Sequence, residues 1–240
     1  MRRHLLLCTF LLGACREAAS ETEEVDLAPP KPPCAGCTID LPPSTRAVPL
    51  LVVLHGNWET AADAAARWRS AALARGWGVL ALQCPRAEGC DDQARWYRWR
   101  GEPKWIVDQI AEVGRKRPID VSKIYLVGWS GGATYIGMLA PKWSSVFAGV
   151  VFHGGGQPPS GAGCPSRNLP AYFLVGDRNP AHPAARRLRA YWESCGQEHV
   201  WDLVEGANHA REEAALDNLK AMSILQWLDR HERTPLISTR

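Results

Sequence analysis

Short apolar segments alternate with longer amphipathic ones over most of this 240-residue chain, and this alternation constrains the fold most strongly. Strands are predicted at residues 50–54, 77–82, 123–127, 147–152, 171–175 and 198–204, and helices at 61–75, 105–116, 133–140, 184–193 and 211–230. Continuous apolar strands between helices indicate a parallel sheet whose two faces are both covered. The predicted class is therefore α/β, with a mostly parallel central sheet flanked by helices and no large cap domain.

A G-x-S-x-G motif at residues 128–132 stands between a predicted strand and a predicted helix. This is the context of a nucleophile elbow, a tight turn that presents a serine at the carboxyl end of a sheet. Side chains two positions either side of the serine would collide with neighbouring elements, which favours Gly128 and Gly132. Ser130 is therefore the candidate nucleophile, and the N–H of Gly131 points at the same space from a helix N-terminus. The alternative is a glycine-rich turn in which the serine only caps the helix.

Polar residues follow several other predicted strands, at the edge where parallel sheets bind ligands. His55 and Gly56 follow the first strand, Asp177 and Asn179 follow the strand at 171–175, and His209 lies between the last strand and the last helix. A histidine in that last loop is a candidate general base.

A serine elbow followed by an acid and then a histidine at later strand ends resembles the α/β-hydrolase superfamily. Within it, the chain is most similar to small secreted esterases of the polyhydroxybutyrate depolymerase and feruloyl-esterase-like group, and to dienelactone-hydrolase-like proteins. The resemblance spans residues 48–228. It implies an α/β-hydrolase fold and a serine esterase that cleaves small or polymeric carboxylic esters.

The resemblance also assigns roles to individual residues. It implies a catalytic Ser130, His209 and Asp177, and an oxyanion hole formed by the N–H of Asn57 or Trp58 together with that of Gly131. His55 is expected to orient the oxyanion loop. Many relatives read G-x-x-D after the acid-bearing strand, and that register would place Asn179 in the acid position. Asp177 is the predicted acid, Asn179 is the open alternative, and lesser candidates are Asp202 and Glu205.

Several aromatic residues are candidates for the substrate pocket. Trp96 and Trp99 lie in a tryptophan-rich loop that could grip an acyl chain or ring, or could simply pack against the sheet. Trp129 adjoins the nucleophile. His153 begins an H-G-G-G sequence that looks like the oxyanion motif of lipases. In lipases that motif precedes the elbow, whereas this one follows it, so we interpret His153 as a residue that borders the pocket.

The first 47 residues read as an export signal and a spacer. Residues 1–14 combine a basic start with a short apolar run and end in a sequence that resembles the lipobox of bacterial lipoproteins, with Cys15 as the lipidated residue. An ordinary signal peptide with an incidental cysteine is the alternative. Residues 15–47 are acidic and then proline-rich, as in a tether, and residues 48–235 form the predicted catalytic domain. We therefore expect a lipid-anchored protein of the bacterial cell envelope, and a secreted protein is the alternative.

Six cysteines remain beyond the leader and the lipobox, and an even number in an exported chain suggests up to three disulfides. The preferred pairing joins Cys84 to Cys90, Cys164 to Cys195, and Cys34 to Cys37. Thioredoxin-like redox chemistry and zinc binding are disfavoured for the last pair because the required context and further ligands are missing from the sequence.

The composition gives no indication of one class of partner, nucleic acids. The formal charge of +3 falls to about +1 once Arg2 and Arg3 leave with the leader, so nothing suggests nucleic-acid binding. The predicted mechanism needs no metal or cofactor. Two other functions share the motifs: a serine peptidase of the prolyl-oligopeptidase type, and a non-catalytic binding lipoprotein on a hydrolase scaffold.

Overall fold

A computed structural model describes residues 30–161 and 163–233. The predicted leader at residues 1–14, the lipidation candidate Cys15 and the first half of the predicted tether lie outside these residues. Within the described ranges, one sheet contains seven strands: β1 Thr38–Asp40, β2 Val48–Leu54, β3 Gly78–Leu82, β4 Ile119–Trp129, β5 Gly149–His153, β6 Ala171–Gly176 and β7 His199–Val204.

The strands lie in the order β1-β3-β2-β4-β5-β6-β7. β1 pairs antiparallel with β3, and every other pairing is parallel. Over the same described ranges the α-helices are α1 Ala61–Ala66, α2 Arg69–Ala74, α3 Lys104–Lys116, α4 Gly131–Met138, α5 Ala140–Trp143, α6 His182–Ser194, α7 His209–Ala214 and α8 Asn218–Leu228. The predicted class, a mostly parallel sheet with helices, is confirmed, and the residues that the structure describes include no large cap domain.

The central strands have two buried faces, which explains why their sequences are continuously apolar. Along β2, Leu50, Val52 and Leu54 face one hydrophobic core, whereas Leu51 and Val53 face a second core on the other side of the sheet. Because all parallel strands run the same way, the carboxyl ends of β2, β4, β5 and β6 meet at one edge. The candidate site residues follow these ends.

The structure differs from the predicted segments at three places. The predicted tether extends too far, because β1 joins the edge of the sheet and Ile39 is buried. The predicted helix at 61–75 is two helices separated at residues 67–68, where Trp68 is buried in the core. The predicted helix at 211–230 is also divided, because Asp217 caps a new helix by accepting a hydrogen bond from the N–H of Lys220 at 2.7 Å.

The structure contains the three disulfides suggested by the cysteine count. Cys34–Cys37, Cys84–Cys90 and Cys164–Cys195 have Cα–Cα distances of 5.3, 5.8 and 5.4 Å. These bonds fit an exported protein, because disulfides persist in oxidising compartments. Among the described helices, none has both the length and the apolar character needed to cross a bilayer.

Candidate active site

Ser130 lies on a strained turn between β4 and α4. Its φ of 49° and ψ of −106° fall outside the regions that non-glycine residues usually adopt. The turn is held from β5, since the N–H of Ser130 donates to the carbonyl of His153 at 2.8 Å. A Cβ at Gly128 would lie 2.4 Å from the nitrogen of Ala133, and one at Gly132 would lie 2.5 Å from the carbonyl oxygen of Leu54. The two glycines of the motif are therefore required by close backbone contacts.

His209 begins α7 and lies beside the serine. Its Nε2 is 3.0 Å from the Oγ of Ser130, a hydrogen-bond distance for a nucleophile and its base. Asn208 caps α7 by accepting from the N–H of Arg211, which fixes the first turn of this short helix. The side chain of His209 is 42% exposed, so the site is open to solvent. The structure thus brings together two of the three predicted catalytic residues.

The predicted acid, Asp177, is not next to His209. Its side chain is exposed, and within the described residues it forms no hydrogen bond or ion pair with the imidazole. Instead the Nδ1 of His209 lies 2.9 Å from the Nδ2 of Asn179 and 3.4 Å from the Oε2 of Glu212. The assignment of Asp177 is therefore corrected. The chain directs Asn179 inward and Asp177 outward after β6, and the carboxylate beside the histidine comes from α7.

Glu212 is a buried carboxylate, with 1% of its side chain exposed. Its Oε1 accepts the N–H of Gly176 at 2.5 Å, and its Oε2 accepts a hydrogen bond from Asn179. Its backbone carbonyl accepts the Nε2–H of His153 at 2.9 Å. These contacts attach α7 to the ends of β5 and β6.

His153 is a structural residue and does not border an open pocket. It is fully buried, and this burial lowers its pKa to about 3, so the ring is neutral at ordinary pH. Since Nε2 carries the proton that it donates to Glu212, Nδ1 is unprotonated. His153 therefore supports α7 through its hydrogen bond to the backbone carbonyl of Glu212.

The loop after β2, residues 55–60, carries the predicted oxyanion donors and is named the oxyanion loop for that reason; it is held by His55. Burial lowers the pKa of His55, and its Nε2 accepts the N–H of Cys84 at 3.1 Å, so Nδ1 carries the proton and donates to the carbonyl of Gly56 at 2.6 Å. The N–H of Trp58 already donates to Gln93 at 2.8 Å, which removes Trp58 from the predicted oxyanion donors.

The remaining predicted donors, Asn57 and Gly131, are adjacent. The Oδ1 of Asn57 lies 2.1 Å from where a Cβ on Gly131 would be, so a larger residue at position 131 would displace the Asn57 side chain. Among the described residues, neither backbone N–H has a hydrogen-bond partner. The side chain of Asn57 is oriented by the hydroxyl of Tyr97, at 3.3 Å. Trp58 is 71% exposed on the rim of the site.

The other predicted pocket residues are buried. Trp96 and Trp99 are 0% and 3% exposed and belong to the core, where they pack edge-on at 5.8 Å between ring centroids. Trp129 is 5% exposed, and its ring stacks on that of His209 at 4.4 Å with an interplanar angle of 6°. The pocket assignment is therefore corrected: Trp96 and Trp99 build the core, and Trp129 supports the imidazole of His209.

Arg67 connects the oxyanion loop to α7. Its guanidinium forms ion pairs with Glu59 and Glu213, and it lies 5.4 Å from the centroid of the Trp129 ring. Glu59 in turn accepts the N–H of Gly56 at 2.8 Å. Thus one partly buried cation, Arg67, connects both sides of the site.

Sequence reasoning missed Glu212, Arg67 and Tyr97. For Glu212 a signal existed, because residues three apart on a helix share a face and Glu212 lies one turn after His209. Arg67 and Tyr97 had no comparable signal, because their partners are distant in the chain.

A mostly parallel sheet with a strained serine after a central strand and a histidine after the last strand defines an α/β-hydrolase. Solved structures with the same fold include a thermostable esterase, which has 18% sequence identity and a TM-score of 0.61, with 82% of this chain and 59% of that chain covered. The chain thus spans less than two thirds of that esterase.

Two further structures match almost over their full lengths. A Bacillus cereus carboxylesterase has 17% identity and a TM-score of 0.59, with 81% of this chain and 93% of that chain covered. Est1E from Butyrivibrio proteoclasticus, solved with ferulic acid bound, has 11% identity and a TM-score of 0.59, with 81% and 95% covered. At these identities the likeness shows the fold.

A family model described as esterase PHB depolymerase matches residues 36–159, slightly more than half of the chain. The chain belongs to this family, as the resemblance implied, and it is a carboxylic ester hydrolase. Among the curated proteins compared with it, none matches significantly in sequence.

Proposed function

We propose that this esterase works through an acyl-enzyme formed on Ser130. The observation that carries the proposal is the 3.0 Å contact between the Oγ of Ser130 and the Nε2 of His209, at a serine whose backbone is strained. Strain at a non-glycine residue persists only where the surrounding structure enforces it, and such residues concentrate at active sites.

The reaction follows the acyl-transfer scheme. Ser130 attacks the ester carbonyl while His209 accepts its proton, and the oxyanion is held by the N–H groups of Asn57 and Gly131. The tetrahedral intermediate then breaks its bond to the alcohol, which takes the proton from Nε2. Water, activated by the same histidine, hydrolyses the acyl-enzyme.

The substrates are soluble esters or esters presented by a polymer. Two features support an open site: the catalytic imidazole is 42% exposed, and the rim carries the exposed ring of Trp58. An aromatic rim residue can pack against acyl groups. A panel of nitrophenyl esters of increasing acyl length, with feruloyl and hydroxybutyrate esters included, identifies the preferred acyl group.

Active-site labelling tests the mechanism. A fluorophosphonate probe should label the wild-type chain and fail to label Ser130→Ala, and the variant should lose at least about 10³-fold in kcat/KM for nitrophenyl acetate. Ser145→Ala is the matched control, since Ser145 is an exposed serine outside the motif. Undiminished hydrolysis by folded Ser130→Ala would contradict the mechanism. Peptide nitroanilides test the peptidase alternative, and faster cleavage of these than of esters would favour it.

We also propose that the protein is exported and lipid-anchored through Cys15. Three disulfides in the described chain support export. Detergent phase partitioning of full-length chain from a bacterial host tests the anchor. The wild type should enter the detergent phase and Cys15→Ala the aqueous phase, whereas equal partitioning would contradict lipidation.

A further inference from the structure

The amide of Asn179 has a fixed orientation. Its Oδ1 accepts the N–H of Ala181 at 2.9 Å, and its Nδ2 donates to the carbonyl of Gly154 at 3.1 Å and to the Oε2 of Glu212. A rotated amide would place its oxygen against two acceptors and its NH₂ against a donor. Both hydrogens of Nδ2 are therefore used, and neither is left for His209.

The Nδ1 of His209 then has one suitable partner in the described chain. Under the proposed function, Nε2 must be unprotonated to accept the proton of Ser130, so Nδ1 carries the ring proton. Asn179 presents an NH₂ group at 2.9 Å, which cannot accept that proton. The Oε2 of Glu212, at 3.4 Å, can accept it.

The surroundings of Glu212 favour this pairing. A buried carboxylate is costly unless hydrogen bonds and a positive charge compensate it. Its partners other than His209 are the neutral N–H of Gly176 and the amide of Asn179. Titratable or charged groups on the elements around the pair are His153 at the end of β5, Asp177 and Arg178 after β6, Arg67 and Glu59 near α1, and Arg211 and Glu213 on α7 itself.

These neighbours leave His209 as the compensating group. His153 is neutral, Asp177, Arg178 and Arg211 are exposed, and the carboxylates of Glu59 and Glu213 are paired with Arg67. The imidazolium formed during catalysis is the cation that Glu212 is placed to stabilise.

We propose that Glu212 is the carboxylate of the catalytic triad, and that Asn179, in the position where an acid is expected, orients this carboxylate. This inference rests on the serine mechanism proposed above. Glu212 accepts the Nδ1–H of His209 throughout the reaction and never takes the proton. The proton of Ser130 moves to Nε2 as the O–C bond forms, and from Nε2 to the alcohol as the C–O bond breaks. Glu212 and Asn179 are positioning residues, because both act through His209.

Glu212→Gln tests the inference with little change in shape. The NH₂ of the glutamine must face either the N–H of Gly176 or the NH₂ of Asn179, and both of these groups are donors. In either orientation, Nδ1 of His209 loses its negatively charged partner. We expect kcat/KM for nitrophenyl acetate to fall about 10³-fold. The acidic limb of the pH profile of kcat/KM should move to lower pH, because an amide stabilises the imidazolium less than a carboxylate does.

Two further variants separate an electrostatic role from a structural one. The double variant Asn179→Asp/Glu212→Gln has a carboxylate near Nδ1 again. Its kcat/KM should be at least about tenfold higher than that of Glu212→Gln, and the acidic limb of its pH profile should move part of the way back to the wild-type position. The recovery is incomplete because the new carboxylate faces the carbonyl of Gly154. Asp177→Asn, the matched change at an exposed carboxylate, should stay within about twofold of the wild type.

Three outcomes would overturn the inference. The first is a near-wild-type kcat/KM for Glu212→Gln, and the second is a large loss of kcat/KM in Asp177→Asn instead. The third is a slow Glu212→Gln variant whose pH profile is unchanged and whose activity is not recovered by Asn179→Asp, which would mean that Glu212 has a structural role. Folding of each variant is checked by urea unfolding. Retained hydrolysis in Ser130→Ala would instead overturn the serine mechanism, and the inference with it. An inactive Ser130→Ala beside an active Glu212→Gln would overturn the inference alone.

Discussion

At the scale of single residues, the site depends on a few positions where the backbone or a ring has no freedom. Ser130 keeps a strained conformation because β5 holds its N–H and the flanking glycines allow close backbone contact. His55 and His153 are neutral rings whose hydrogen bonds assign their tautomers. The sequence motifs predict that these positions are constrained. The tautomers of His55 and His153 depend on hydrogen-bond partners that only the folded structure brings together.

Gly132→Ala should destabilise the protein by about 2–3 kcal/mol, since its Cβ would lie 2.5 Å from the Leu54 carbonyl and force the backbone to move. Urea unfolding of the wild type and the variant measures this. Gly114→Ala is the control, because this exposed position of α3 has no atom within 4 Å of an added Cβ. It should stabilise the helix by about 0.5–1 kcal/mol. Equal changes in the free energy of unfolding for Gly132→Ala and Gly114→Ala would contradict this steric explanation.

His153 should make stability depend on pH. Its folded-state pKa, about 3, is below that of the unfolded chain, so the unfolded state binds more protons between these values. The contribution of the neutral His153 ring to the free energy of unfolding is complete above about pH 6.5 and is lost as the pH falls towards 3. Between pH 6.5 and 5 this loss amounts to about 2 kcal/mol. His55, whose pKa is also lowered, acts in the same direction.

The test is urea unfolding at pH 7.5 and 5.0 for the wild type and His153→Gln. Glutamine retains a donor for the Glu212 carbonyl but does not titrate, so the loss of stability on acidification should be smaller in the variant by about 2 kcal/mol. An unchanged pH dependence would show that His153 is not the source.

At the scale of elements, the sequence predicted the strands well and the ends of helices less well. Continuous apolar runs identified β2 to β6, because burial on both faces leaves a clear pattern. β7, which the sequence also predicted, is an edge strand without a buried residue. The short edge strand β1 was missed, since three residues beside prolines carry no such pattern. The two divided helices were missed because buried residues at their junctions, Trp68 and Leu216, continue the apolar pattern across the break.

The disulfides fasten different elements, so their removal should have different effects. Cys164–Cys195 closes a loop of 31 residues that includes β6, and replacing both cysteines by serine should cost about 4 kcal/mol of stability with kcat/KM nearly unchanged. Cys84–Cys90 closes only 6 residues and should cost about 2 kcal/mol. The N–H of Cys84, however, holds His55, so kcat/KM should also fall about tenfold.

Urea unfolding and nitrophenyl acetate kinetics of the two double variants measure these effects. The Cys164/Cys195 variant serves as the control for the kinetics of the Cys84/Cys90 variant. A larger kinetic loss in the control would contradict a role for Cys84 in the oxyanion loop.

At the scale of the whole molecule, the site is assembled from both halves of the chain. The family match at residues 36–159 includes the oxyanion loop and Ser130 but ends before β6 and α7. The second half contributes His209, Asn179 and Glu212. Arg67 links the two halves through its ion pairs with Glu59 and Glu213.

Arg67→Gln should therefore affect both sides of the site. Two carboxylates would lose their partner, and the support of Gly56 and α7 would weaken, so kcat/KM should fall about tenfold and stability by about 2–3 kcal/mol. Arg69→Gln is the control, because Arg69 forms one exposed ion pair with Asp40 and should change stability by less than about 1 kcal/mol. Similar losses in both variants would contradict the linking role.

The sequence by itself determined the parallel strands of the sheet, the position of the serine turn and the loop that carries the histidine, because burial periodicity and backbone sterics act locally along the chain. It did not determine which carboxylate meets His209. After β6, Asp177 and Asn179 are two residues apart, and only the packed structure decides that Asn179 turns inward while α7 supplies Glu212. The same holds for Trp96, Trp99 and Trp129, since an aromatic ring suits a pocket or a core equally well until its neighbours are in place.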